Sequence, residues 1–219
     1  MLKHLPQLIN LCATMILMLS FAMISQRRIV SLINLFAMQG AALVVASVLL
    51  AYATHQSELY ISAGLTFVLK VVLIPWLLHR VIRRLNVRWD VETLINVPTT
   101  MLVGIGLVIF SFSLALPISR LSISLAGGSL GIALACVLLS FLMMITRSKA
   151  VPQVIGFLAI ENGLIFAATT VTNGMPMIVE FGIALDVLVG FLILGVFMFQ
   201  IREQFDSLDI NNLETLKED

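Results

Sequence analysis

Of the 219 residues of this chain, 60% are hydrophobic and only 11% are charged. With a mean hydropathy of +1.08, such a composition excludes a soluble domain and points to an integral membrane protein. The formal net charge of +1 says little about partners. No nucleic-acid partner is expected, and the positions of the charges matter more than their sum.

Crossing the hydrocarbon takes about 20 apolar residues. Seven runs qualify, near 6–24, 29–53, 59–79, 97–116, 125–145, 151–171 and 177–200. The expected fold is all-α, a polytopic membrane protein of about seven transmembrane helices embedded in lipid. A β-barrel would need shorter strands of alternating polarity. The first run follows Lys3 alone and lacks a convincing small-residue cleavage site, so it reads as a retained span rather than a signal peptide.

Lys and Arg set the orientation. Arg27 and Arg28 fill the first gap, Arg80, Arg83, Arg84 and Arg88 the third, and Arg147 and Lys149 the fifth. Arg202 and Lys217 lie in the C-terminal tail, whereas the alternate side holds only Lys3 and Arg120. This asymmetry places the N-terminus outside and the C-terminus in the cytoplasm, and Tyr52 and Tyr60 flank the second gap as interfacial anchors. The third gap, 80–96, mixes apolar and basic residues. It reads more simply as an extension of the third helix than as a segment lying on the membrane surface. The tail, 204–219, is acidic and turn-prone, and by its residues alone is a solvated end.

Three ionisable residues stand inside the spans. Glu161 lies ten residues beyond Val151, about 15 Å deep at 1.5 Å per residue, with Phe157, Leu158, Leu164 and Ile165 one turn away on either side. A charge at that depth costs roughly 2.5–3.5 kcal/mol on insertion scales. Packing alone does not require it, because Leu or Ala fills the space better. Asp186 is at a similar depth in the last span, with Gly182 and Gly190 on its own face. Lys70 sits in the third span, between Thr66 and Pro75. Pro75 removes a backbone hydrogen bond to the Val71 carbonyl and is expected to kink the helix just past the lysine. These three residues are the candidates for proton translocation, with Lys70 paired to Glu161 or Asp186. Asn162, Gln39, Glu180 and Pro75 are possible supporting residues, although Asn34, Gln39 and Asn162 are more readily explained by bonding between helices.

Cys12 and Cys136 lie in apolar runs, and His4, His55 and His79 lie at or beyond the ends of runs. No Cys/His cluster has metal-ligand spacing, so no metal and no cofactor is expected in this chain. Gly127-Gly128-Ser129-Leu130-Gly131 reads as a site of close packing rather than a phosphate loop.

The segment Gly156-Phe157-Leu158-Ala159-Ile160-Glu161-Asn162-Gly163 resembles the second helix of the small K-type subunit of respiratory complex I and of the C-type subunit of Mrp antiporters. Asp186 matches the third-helix carboxylate of that family, as Asp rather than the usual Glu. Lys70-Val71-Val72-Leu73-Ile74-Pro75 and the ending from Leu208 to Lys217 extend the resemblance over essentially the whole chain. It is similar to the component E family of hydrogenase-4, the long K-type subunits of formate hydrogenlyase and membrane-bound nickel–iron hydrogenase complexes. The resemblance implies a four-helix N-terminal extension over 1–120, a three-helix K-type unit over 121–203 and a cytoplasmic tail over 204–219. It also implies a prokaryotic inner membrane, antiporter-like and other membrane-arm subunits as partners, and a tail that docks on a neighbour.

The function expected from these observations is that of a non-catalytic membrane-arm subunit of a complex I-like, redox-driven ion pump, not an enzyme on its own. One alternative is a stand-alone secondary transporter, against which stands the lack of evident internal duplication or paired broken helices. Another is a structural spacer between antiporter-like subunits whose buried charges are paired and static.

Overall fold

In the computed structural model, residues 5–85, 93–119 and 129–171 are described. They form α1 (Leu5–Ser25), α2 (Ile29–Thr54), α3 (Ser57–Thr66), a π-helical segment (Phe67–Leu73), α4 (Ile74–Leu85), α5 (Val97–Ser119), α6 (Ser129–Thr146) and α7 (Ala150–Val171). Among the described residues, six helical stretches are long and apolar enough to cross a membrane, with α3, the π segment and α4 contributing one of them, Leu59–Arg80. The chain is thus a multi-pass, all-helical membrane protein. The expected seventh span at 177–200, with Glu180 and Asp186, lies outside the described residues, as does the tail.

The helix faces show what surrounds the bundle. On α1, Leu5, Ile9, Cys12, Ile16, Leu19 and Met23 are buried, while Leu8, Leu11, Met15 and Met18 form an equally apolar exposed stripe. Both stripes follow the helical repeat. A helix apolar on its outward face suits a lipid surround, where the contrast between inside and outside lies in packing rather than polarity. Several threonine hydroxyls within the spans are satisfied by their own helices. Thr14, Thr146, Thr169 and Thr170 each donate to the carbonyl four residues earlier, at 2.7–2.8 Å.

The core sits between α1, α2, α6 and α7, where Cys12, Ala13, Ile16, Ala42, Leu43, Ala46, Ala133, Cys136 and Phe166 form one buried cluster. Both cysteines are free. α5 packs on α6 and α1 and exposes Leu102, Ile105, Ile109, Phe110 and Leu116 on its other faces. The third helix runs on through Arg80 to Leu85, the first part of the expected extension over 80–96; residues 86–92 lie outside the described residues, and 93–96 are not helical. α2 ends at His55, whose φ of 55° is the left-handed conformation common just after a helix.

α6 and α7 make the most extensive helix pair, and glycine explains how they approach. A Cβ on Gly163 would lie 2.8 Å from Val137 Cγ2 and 3.1 Å from the Val137 backbone nitrogen. One on Gly156 would lie 3.1 Å from the Met144 backbone. Gly131, from the glycine-rich stretch, seats the Phe112 ring in the same way. Gly163→Ala is therefore expected to push α7 off α6 and to destabilise the bundle by about 1–3 kcal/mol, the usual cost of overpacking. A thermal melt of the detergent-solubilised protein checks this: the midpoint falls if the contact is tight, and an unchanged midpoint shows that the helices adjust freely.

Candidate functional site

Lys70 occupies the middle of its span, on a stretch that is not α-helical. Pro75 has no N–H to give to a carbonyl in the preceding turn. The chain responds by widening that turn, so that the Ile74 N–H reaches the Leu69 carbonyl, five residues back. The irregularity thus falls across and before the expected position: it is wound into Phe67–Leu73 and includes Lys70 itself. Such single-turn π segments arise where a helix is under constraint and are common at functional sites. One turn further on, His79 Nδ1 lies 2.7 Å from the Pro75 carbonyl.

α2 receives the lysine at Gly40. A Cβ there would stand 3.4 Å from Lys70 Cβ and 3.5 Å from Val71 Cγ2, so a larger residue would crowd the lysine stem. The amine reaches across to α7, where Lys70 Nζ lies 3.3 Å from Glu161 Oε1, with the two side chains 0% and 2% exposed. Glu161 is itself near the middle of its own span, Val151–Thr170. Of the two partners the sequence allows for Lys70, the described structure brings Glu161 to it. Asp186 and Glu180 fall outside the described residues.

Beside the ion pair runs a buried amide–hydroxyl ladder. Asn162 Nδ2 donates to Gln39 Oε1 at 3.2 Å, Gln39 Nε2 donates to Ser20 Oγ at 2.9 Å, and Ser20 Oγ donates to the Ile16 carbonyl at 3.0 Å. This ladder joins α7, α2 and α1, so Gln39 and Asn162 bond between helices and also adjoin the charged pair. Ser20 gives no signal in the sequence, since a lone serine in an apolar span ordinarily bonds to its own helix.

A second buried cation sits at one end of the bundle. Arg147 follows α6 and is 1% exposed; its Nη2 donates to the carbonyls of Ile24 at 2.6 Å and Met23 at 3.3 Å. The guanidinium thus closes the C-terminal end of α1, where unpaired carbonyls carry negative charge. Burial holds its pKa below the ordinary arginine value. The Arg147 carbonyl accepts from Gln153 Nε2 at 2.8 Å, and the Leu94 N–H donates to the Thr146 carbonyl at 2.9 Å. Counted by sequence as one of the loop charges, Arg147 is a structural clasp. Among the described residues no group of three or more His, Cys, Asp or Glu side chains stands ready to hold a metal ion.

No family model and no solved structure matches this chain. An uncharacterized protein of Mycobacterium tuberculosis is 29% identical over 212 residues, covering 96% of both chains. Hydrogenase-4 component E of Escherichia coli is 23% identical over 210 residues, covering 96% of this chain and 97% of its own, and its counterpart from Shigella flexneri matches to the same extent. The chain is homologous to hydrogenase-4 component E over 96% of its length. End-to-end coverage means that the component E relationship takes in both helices that meet at the ion pair, Lys70 on the N-terminal side and Glu161 on the C-terminal side.

Proposed function

We propose that this chain is a non-catalytic membrane-arm subunit of a redox-driven, ion-translocating complex of the hydrogenase-4 or formate hydrogenlyase type. In this reading it carries part of a proton path. The observation that carries the proposal is the Lys70–Glu161 pair, fully buried and at mid-span on both helices. Homology to component E supports membership of a multi-subunit complex beside antiporter-like subunits. The excess of Lys and Arg on one side supports an N-terminus outside and a C-terminus in the cytoplasm of a prokaryotic inner membrane. The division at 120 into an N-terminal extension and a K-type unit, and the absence of a cofactor in this chain, belong to the same reading.

The chemistry follows from the pair. In its charged form Glu161 is held by the Lys70 ammonium. A proton arriving at a carboxylate oxygen of Glu161 neutralises it and leaves the ammonium without its counter-charge. Lys70 then favours another acidic partner, so that its charge alternates between partners as the proton moves. When Glu161 gives up its proton the lysine returns. The protein holds one proton at a time at mid-membrane, and its neighbours supply the routes to and from each side.

Affinity purification from native membranes in a mild detergent tests membership. The chain is expected to bring down several large membrane proteins together with metal-cluster proteins. A homogeneous single-chain preparation that transports a solute by itself would instead establish the secondary-transporter alternative.

A further inference from the structure

The two halves of the ion pair stand on helices that are each held by α2. Among the described residues, α2 packs extensively on α7 and also on the π segment, whereas contact between those two elements is slight. The 3.3 Å separation of Lys70 Nζ from Glu161 Oε1 therefore depends on how α2 seats both.

Two consecutive residues of α2 meet them. Gly40 lies against the Lys70 stem. Gln39, 0% exposed, accepts from Asn162, the residue next to Glu161, and donates to Ser20 of α1. With Ser20 tied to its own helix at the Ile16 carbonyl, the amide of Gln39 is fixed at both ends. It cannot slide without losing one bond or the other. We infer that Gln39 is a positioning residue for the Lys70–Glu161 pair, setting the height of α7 against α2 so that the carboxylate meets the lysine seated at Gly40. The functional meaning of this inference rests on the proton-path reading, but its geometric content does not.

The test uses the pair's own chemistry in native membranes containing the full chain. Dicyclohexylcarbodiimide activates the Glu161 carboxyl. A lysine amine within reach then displaces the activating group to form an amide, and the elements of water leave in dicyclohexylurea. The product is a Lys70–Glu161 isopeptide link, read as a cross-linked peptide by mass spectrometry and normalised to the folded protein.

The wild-type chain is expected to form the link. Gln39→Leu keeps the bulk but makes neither bond, and its yield should fall by at least about fivefold, the population change that the loss of even one of the two buried hydrogen bonds produces. Exchanging the two amides, Gln39→Asn together with Asn162→Gln, keeps their combined reach between α2 and α7, though not the reach to Ser20, and should raise the yield above that of Gln39→Asn alone. A wild-type yield from Gln39→Leu would overturn the inference, and so would an exchange variant that links no better than Gln39→Asn alone. Should Gln39→Leu fail to accumulate, the comparison of Gln39→Asn with the exchange variant decides in the same way. Linking needs no turnover, so a failure here leaves the proton-path proposal standing, and the failure of that proposal leaves this result intact.

Discussion

Glu161→Gln is expected to yield a normally assembled complex in which ion movement per turnover falls on the order of a hundredfold. That is the lower end of what a positioned proton-transfer group contributes. The amide has the shape of the carboxyl, and its oxygen still accepts a hydrogen bond from Lys70 Nζ, so the contact between α7 and the π segment survives. What the amide lacks is a group that takes up and gives back a proton at any accessible pH. The check is to measure proton uptake and redox turnover on the same proteoliposomes. If the assembled variant moves protons as well as the wild type, Glu161 has no part in the path.

Lys70→Met separates a mobile pair from a static one. Removing one partner of a buried ion pair that is only structural leaves an uncompensated charge and destabilises by about 3–5 kcal/mol, which is enough to deplete the complex from the membrane. If the carboxyl instead takes a proton readily, as a relay group does, Glu161 becomes neutral, the penalty largely disappears, and the complex assembles but runs uncoupled. The account predicts the second outcome. Lys70→Arg sharpens the contrast, because the guanidinium keeps its charge and cannot give up its proton at any accessible pH. Normal pumping by Lys70→Arg, together with failed assembly of Lys70→Met, would make the lysine a structural counter-ion and leave the relay to the carboxylates alone.

The spans and the charged residues are legible in the sequence because membrane burial makes both conspicuous. Apolar runs of about 20 residues have few other uses, and Glu161 or Lys70 at mid-run contradicts its surroundings. Pairing is less legible. Depth along the helix matches Lys70 to Glu161 and to Asp186 alike, and only the packing of both helices on α2 brings Glu161 to 3.3 Å. Pro75 announces a disturbance in the third span, but whether the helix bends or widens depends on which carbonyl the Ile74 N–H finds, and that choice belongs to the tertiary structure.

Arg147 shows the opposite failure. Next to Ser148 and Lys149 it has the look of a loop charge, and nothing local reveals that the end of α1 lies within reach of its guanidinium. Gly156 and Gly163 likewise look like ordinary glycines until α6 is laid against them. Polar residues in the spans are visible as a class; which of them touch is set by helix rotation and height, and single-sequence patterns do not encode either.

The central claim is that Glu161 changes its protonation state as the complex works, and infrared difference spectroscopy of the carboxyl C=O stretch reads that directly. Spectra of membranes at rest and during turnover, with the Glu161→Gln complex as the reference, isolate the band of this one side chain. The account predicts a protonated-carboxyl signal that rises or falls with turnover in the wild type and is missing in the variant. A wild-type spectrum with no carboxyl change attributable to Glu161, taken while the complex is pumping, would contradict it.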